Sequence, residues 1–157
     1  MAVKPIPEGY HTFACYLIVK DAPAALAFYA KAFKAEEKMR LTMPDGGVAH
    51  AEFKIGDSMI MLGEENPGWG ATGPKTLGGT SVGLCLYVPD CDAVFKQAIA
   101  AGATEEKPMT DQFYGDRSGT VVDPFGHKWT ICTHIKDLTT AEMQTAMEEM
   151  MKNMPQG

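Results

Sequence analysis

The chain has 157 residues, 45% of them hydrophobic and 22% charged, with a formal net charge of −6. That length suffices for one domain with a real core, and the composition is that of an ordinary globular protein. Scattered Lys and Arg in an acidic chain lack the basic footprint of a nucleic-acid binder, and no apolar run is long enough to span a bilayer.

Residues 1–13 read as an extended leader holding Pro5, Pro7 and Gly9. Its opening, MAVKPIPEGYHT, has no apolar segment of the signal-peptide kind. Cys15, Cys85, Cys91 and Cys132 lack CxxC spacing, and three of them sit in strand-like apolar runs. Buried, reduced thiols are therefore expected, and the cytoplasm is the expected compartment.

A first unit is expected over residues 10–63. CYLIVKD reads as a strand, and Asp21 followed by Pro23 reads as a helix start, an N-cap with Pro in the first turn. Leu26, Tyr29 and Phe33 then recur on one helical face. HAEFKIGDSMIML continues as strand, Gly56 turn and strand. Residues 64–80, rich in Gly, Pro and Thr, read as a linker. Trp69 within it reads as a plug against the core in preference to a lid over a ligand.

A second unit over residues 81–136 repeats the plan. CLYVPDCDAVFKQAIAAGA is strand, Asp90 cap, helix and Gly102 stop. Asp90 lies 69 positions after Asp21, and Gly126 lies 70 after Gly56. Two copies of strand-helix-strand-strand-strand in one domain, 1–157, explain most of the chain. The tail, 139–154, reads as a helix: Thr139 and Glu142 fit a capping box, and Met143, Met147, Met150, Met151 and Met154 share a face. That stripe is expected to dock on the body or on a second subunit.

The stretch 111–134, DQFYGDRSGTVVDPFGHKWTICTH, holds the sharpest local signals. Two β-rich runs flank Asp123-Pro124-Phe125-Gly126, in which Pro124 presets φ, Asp123 bonds the backbone ahead and Gly126 takes φ > 0. Asp116 and Arg117 read most simply as a solvated surface pair.

These features together resemble the vicinal oxygen chelate superfamily, the glyoxalase, bleomycin-resistance and dioxygenase group. GYHTFACYLIVKDAPAALAFYAKAF, VAHAEFKIGDSMIMLGEE and FYGDRSGTVVDPFGHKWTICTH look closest to its PhnB-like branch. The resemblance covers about residues 10–136. It implies an α+β fold of tandem βαβββ units, an eight-stranded pair of half-barrels bearing a cavity, plus the C-terminal helix. It also implies a homodimer. The superfamily's metal ligands would fall at about Ala14, Gly83, Thr130 and, in the first unit, Ile60. None of these side chains supplies an ordinary divalent site. No metal and no other cofactor is therefore expected, with a divalent metal as the alternative.

Strand alternation on this frame turns Tyr16, Ile18, His50, Glu52, Cys85, Tyr87, Thr120, Val122, Thr130, Cys132 and His134 toward the cavity. Leu17, Val19, Met59, Met61, Leu84, Leu86, Trp129 and Ile131 would pack under the helices. His50 and Glu52 are the candidate catalytic pair, since two residues apart on a strand they point to one side and can act as acid and base. Tyr16, Cys85, Phe113, Arg117 and Thr130 are the candidate cavity and substrate-binding residues. Cys85 without a basic neighbour reads as an inert thiol. His127 reads as exposed or capping, and His134 as a surface residue.

The functional expectation is a protein that binds, and can convert, a small organic molecule in its cavity. One alternative is a metal-dependent lyase, isomerase or dioxygenase using His50 and Glu52. Another is a ligand-free dimeric structural or regulatory protein.

Overall fold

The computed structural model describes residues 2–155. Strand β1 (Tyr16–Val19) leads into α1 (Ala22–Phe33), followed by β2 (Glu36–Thr42), β3 (Val48–Ile55) and β4 (Ser58–Glu64). A one-turn helix, α2 (Pro74–Leu77), precedes the second unit of β5 (Gly83–Tyr87), α3 (Cys91–Ala101), β6 (Thr104–Asp111), β7 (Asp116–Val122) and β8 (Lys128–His134). Helix α4 (Thr140–Lys152) closes the chain.

Local chemistry sets the helix ends. The Asp21 carboxylate accepts from the Ala24 N–H at 2.9 Å, and Asp90 accepts from Ala93 at 3.0 Å. Each cap satisfies one of the amide donors that a first turn leaves orphaned. Thr139 and Glu142 form the reciprocal capping box of α4.

The strands make two four-stranded sheets, ordered β1-β4-β3-β2 and β5-β8-β7-β6. In each, the first strand pairs in parallel with the last and the other neighbours are antiparallel. The chain is thus a tandem βαβββ pair of α+β class. Both sheets turn one face to a single core. Tyr29 of α1 is central to it: its ring stacks 5.2 Å from Phe53 of the first sheet and lies 5.4 Å from Trp129 of the second. Its hydroxyl donates to Asp123 at 2.7 Å, in the turn between β7 and β8. Asp123 also accepts from Trp129 Nε1 and from the Phe125 and His127 amides. A buried carboxylate with four donors is fully satisfied. With a core shared in this way, the remaining face of each sheet points away from it.

The register corrects one inference from the repeat. Tyr16 pairs with Met61, which pairs with Glu52; in the second unit Cys85 pairs with Thr130, which pairs with Thr120. Met61 (130 − 61 = 69), not Ile60, is therefore the counterpart of Thr130, and Glu52 is that of Thr120 (120 − 52 = 68). The reason is turn length. Ile55 pairs with Ser58 across a two-residue turn, whereas Val122 pairs with Lys128 across five residues. Aligning Gly56 with Gly126 slips the rungs. Met59 and Met61 consequently share the outward face with Glu52, and Ile60 pairs with the core residue Phe53. Both methionines were expected under the helices.

Three other expectations change. Trp69 is no plug: it ends a 3-10 turn (Pro67–Trp69) and is 74% exposed. Cys85 is exposed and Cys15 half-buried, while Cys91 and Cys132 are buried; all four are free thiols. Helix α4 has no fully buried residue; of its stripe Met143 and Met147 are half-buried and Met150, Met151 and Met154 exposed, so of the two expected docking partners the body does not bury it. Among the described residues, no helix is long and apolar enough to cross a membrane.

Candidate functional site

Three polar side chains meet on the outward face of the first sheet. β1 places Tyr16 and β3 places His50 and Glu52, two apart and so on one side. The Tyr16 hydroxyl lies 3.0 Å from His50 Nδ1, and His50 Nε2 lies 3.3 Å from Glu52 Oε1. A carboxylate only accepts, so Nε2 carries the proton, and in the neutral ring Nδ1 is left to accept from the phenol. Burial raises the Tyr16 phenol above its ordinary value, which keeps that proton in place. Each group thus fixes the next, in a line from phenol to carboxylate. The His50 and Glu52 side chains are 21% and 23% exposed, and Tyr16 is 47% exposed. The arrangement is an open surface rather than an enclosed core pair.

Gly63 of β4 is what allows it. A Cβ there would stand 2.8 Å from the Tyr16 hydroxyl and 2.9 Å from the Ala49 carbonyl oxygen. Tyr10, from the leader, joins the group. Its hydroxyl is buried without a hydrogen-bond partner of good geometry. Burial, and then the nearby Glu52 carboxylate, push that phenol up to about 12.

The second sheet carries a different set. The Tyr87 hydroxyl donates to Asp116 Oδ2 at 2.6 Å, and His134 Nδ1 lies 2.7 Å from Asp116 Oδ1. His134 Nε2 lies 3.0 Å from Asp137 Oδ1. Carboxylates on both nitrogens favour the imidazolium form, and the Asp116 and then the Asp137 hydrogen bond raise its pKa. Burial works against ionising Asp116, but the Tyr87 and His134 hydrogen bonds prevail and hold its carboxyl below the usual value.

Tyr16, His50 and Glu52 are thus brought together, whereas the other candidates lie apart from them. Thr130 belongs to the second sheet, where its hydroxyl bonds Thr120 at 3.0 Å. Cys85 lines a cleft of about 830 Å³ that runs between the two units. Tyr16 lines another of about 620 Å³, with Phe13, Leu77, Val82 and His127. Phe113 sits in the turn before β7, edge-on to Tyr114. Arg117 points to the helix side of its sheet and grips Asp92 of α3 at 2.7 and 2.9 Å, and Asp111 at 2.9 Å. Asp116 and Arg117 are therefore not a surface pair: they point to opposite faces, and Asp116 is only 5% exposed. His127 bonds the Ile18 carbonyl through Nε2 at 2.9 Å, joining the second unit's turn to β1.

Sequence reasoning missed Tyr10, Gly63 and Asp116. For Asp116 a signal existed, since it has the parity of Ser118 and Thr120. Among the described residues, no three His, Cys, Asp or Glu side chains are grouped so as to hold a metal ion.

Two βαβββ units about one core, with a polar group on each outward face, define a glyoxalase-type fold. The chain belongs to the Glyoxalase/Bleomycin resistance protein/Dioxygenase superfamily, whose family model matches residues 10–131. It is 42% identical over 135 residues to an uncharacterized protein of Mycobacterium tuberculosis, covering 84% of this chain and 79% of that one. Among solved structures it is similar to TioX from Micromonospora sp. ML1, with a TM-score of 0.62 and 23% identity over 80% of this chain and 99% of that one. It is also similar to FosX, a genomically encoded fosfomycin resistance protein from Listeria monocytogenes, with a TM-score of 0.60 and 22% identity over 83% and 91% of the two chains. The FosX structure is a complex with Mn(II) and 1S,2S-dihydroxypropylphosphonic acid. At such identities these structures establish the fold alone.

Proposed function

We propose that this protein is a PhnB-like member of the superfamily that binds a small organic molecule against the outward face of its first sheet. It does so without a tightly held metal, as a cytoplasmic homodimer. The observation that carries the reading is the line Tyr16–His50–Glu52, fixed by hydrogen bonds yet open to solvent. Glu52 presents a carboxylate to a ligand's donor or positive charge, and the buried Tyr10 phenol backs it. His50, hydrogen-bonded between the phenol and the carboxylate, is placed to move a proton along the line if the bound molecule reacts.

The donor set supports the metal-free part. The superfamily's ligand places fall here on Ala14, Gly83, Thr130 and, in the observed register, Met61. His50 and Glu52 provide two donors, and among the described residues no third His, Cys, Asp or Glu is grouped with them. A hard divalent ion needs more.

Two measurements test the reading. Elemental analysis after exhaustive dialysis is expected to find far less than one Mn, Fe, Ni or Zn per chain; one metal per chain would refute the metal-free part. Metal-free bleomycin, which is cationic, rich in donors and present in the family's name, is the first probe for an acidic site. Calorimetric titration should give binding to the native chain and loss of it in the folded His50→Ala, Glu52→Ala variant. Equal binding by both would remove the first sheet from the function.

A further inference from the structure

We infer that the second sheet carries a separate recognition site for a small aromatic carboxylate, in which Asp137 occupies the ligand carboxylate's place in the free chain. The inference does not rest on the reading of the first sheet.

The anchor of the site is Asp116. It is 5% exposed, and both its oxygens are used, one by Tyr87 at 2.6 Å and one by His134 Nδ1 at 2.7 Å. A buried carboxylate behind a histidine fixes the ring's orientation and leaves Nε2 as the outward-facing nitrogen. The His134 side chain is 53% exposed, so Nε2 is within reach of solvent.

What meets Nε2 is the carboxylate of Asp137, 3.0 Å away on a fully exposed side chain. Asp137 lies in the segment between β8 and α4, which is held to the body where the Ile135 and Lys136 amides donate to the Gly115 carbonyl. Its carboxylate has no role in those backbone bonds. An exposed ion pair of this kind is weak, because water solvates both partners about as well. A carboxylate from solution can therefore take the same position at little cost, making the same charge-assisted bond to the imidazolium.

Tyr87 narrows the ligand class. The residue is 61% exposed, and it is adjacent to His134 because both bond the same carboxylate. A flat apolar group attached to the incoming carboxylate can lie on that ring, which offers aromatic surface already ordered by its hydroxyl. The other ionisable groups on this face are the free thiols Cys85 and Cys132, Lys107 opposite Thr120, and Lys128 at the far end of β8, which is paired with Glu106.

The test uses the full-length chain titrated with benzoate, following the His134 and Tyr87 ring signals by NMR. Benzoate should shift both, and Asp137→Ala, which removes the internal competitor, should bind it several-fold more tightly. Acetate, lacking the ring, and benzamide, lacking the charge, should each bind more weakly than benzoate. His134→Gln, with its amide spectrum confirming the fold, should abolish the shifts at Tyr87. Unmoved His134 signals in Asp137→Ala up to the solubility of benzoate would overturn the proposal. Benzamide binding as tightly as benzoate would overturn the role of the carboxylate.

Discussion

The Tyr16 hydroxyl sits 3.0 Å from His50 Nδ1 over Gly63, where an added Cβ would approach the phenol oxygen to 2.8 Å. The geometry of the first-sheet group thus depends on a missing side chain as much as on those present. Gly63→Ala should destabilise the fold by about 1–3 kcal/mol, the usual range for overpacking. Removing the phenol oxygen as well, in Tyr16→Phe with Gly63→Ala, should return part of that loss. Urea unfolding of the two single variants and the double variant measures the coupling. Strict additivity would mean that the phenol and position 63 do not meet.

Gly126 has φ +94, and a Cβ there would stand 2.9 Å from Pro74 Cβ. Gly126→Val therefore meets both left-handed strain and a steric clash. The conformational part alone costs on the order of 1–3 kcal/mol, so the urea midpoint should fall clearly. An unchanged midpoint would show that the turn readily adopts another conformation.

His134 makes stability depend on pH in a definite direction. Its pKa in the folded chain is raised above the ordinary 6.5 by the Asp116 and Asp137 hydrogen bonds. A group raised on folding contributes fully below its unfolded value and loses that contribution as pH rises through its folded value. Stability should therefore decline as pH climbs above about 6.5, and His134→Gln should flatten that limb. Chemical denaturation across pH 5.5–9, native against variant, checks the sign; a rise with pH that tracks His134 would contradict it.

The chain should be a homodimer at micromolar concentration. The motive is the unburied α4, with Met150 and Met151 41% and 61% exposed, and Met154 just beyond it 59% exposed. Contiguous apolar surface of that kind is usually covered in an assembly. Light scattering reporting the 17.0 kDa mass of one chain would reject this.

What the sequence determined by itself was whatever neighbours along the chain decide. Asp21, Asp90 and the Thr139–Glu142 box act on amides three residues away, so their caps could be read directly. The Asp-Pro-Phe-Gly turn is equally local, and the repeat of two βαβββ units follows from the order of such signals. Alternation along β3 placed His50 and Glu52 on one side, because parity within a strand needs no partner. Tertiary structure decided the rest. Which rung faces which depends on turn length, so two residues at Gly56-Asp57 against five at 123–127 moved Met61 into the place expected for Ile60. Asp116 was buried, and turned from its neighbour Arg117, because Tyr87 and His134 reach it from other strands while Asp92 draws Arg117 to the helix layer. Tyr10 came beside Glu52 from 42 positions away. Such contacts are set by how packed elements share one core, and no local pattern of residues encodes that geometry.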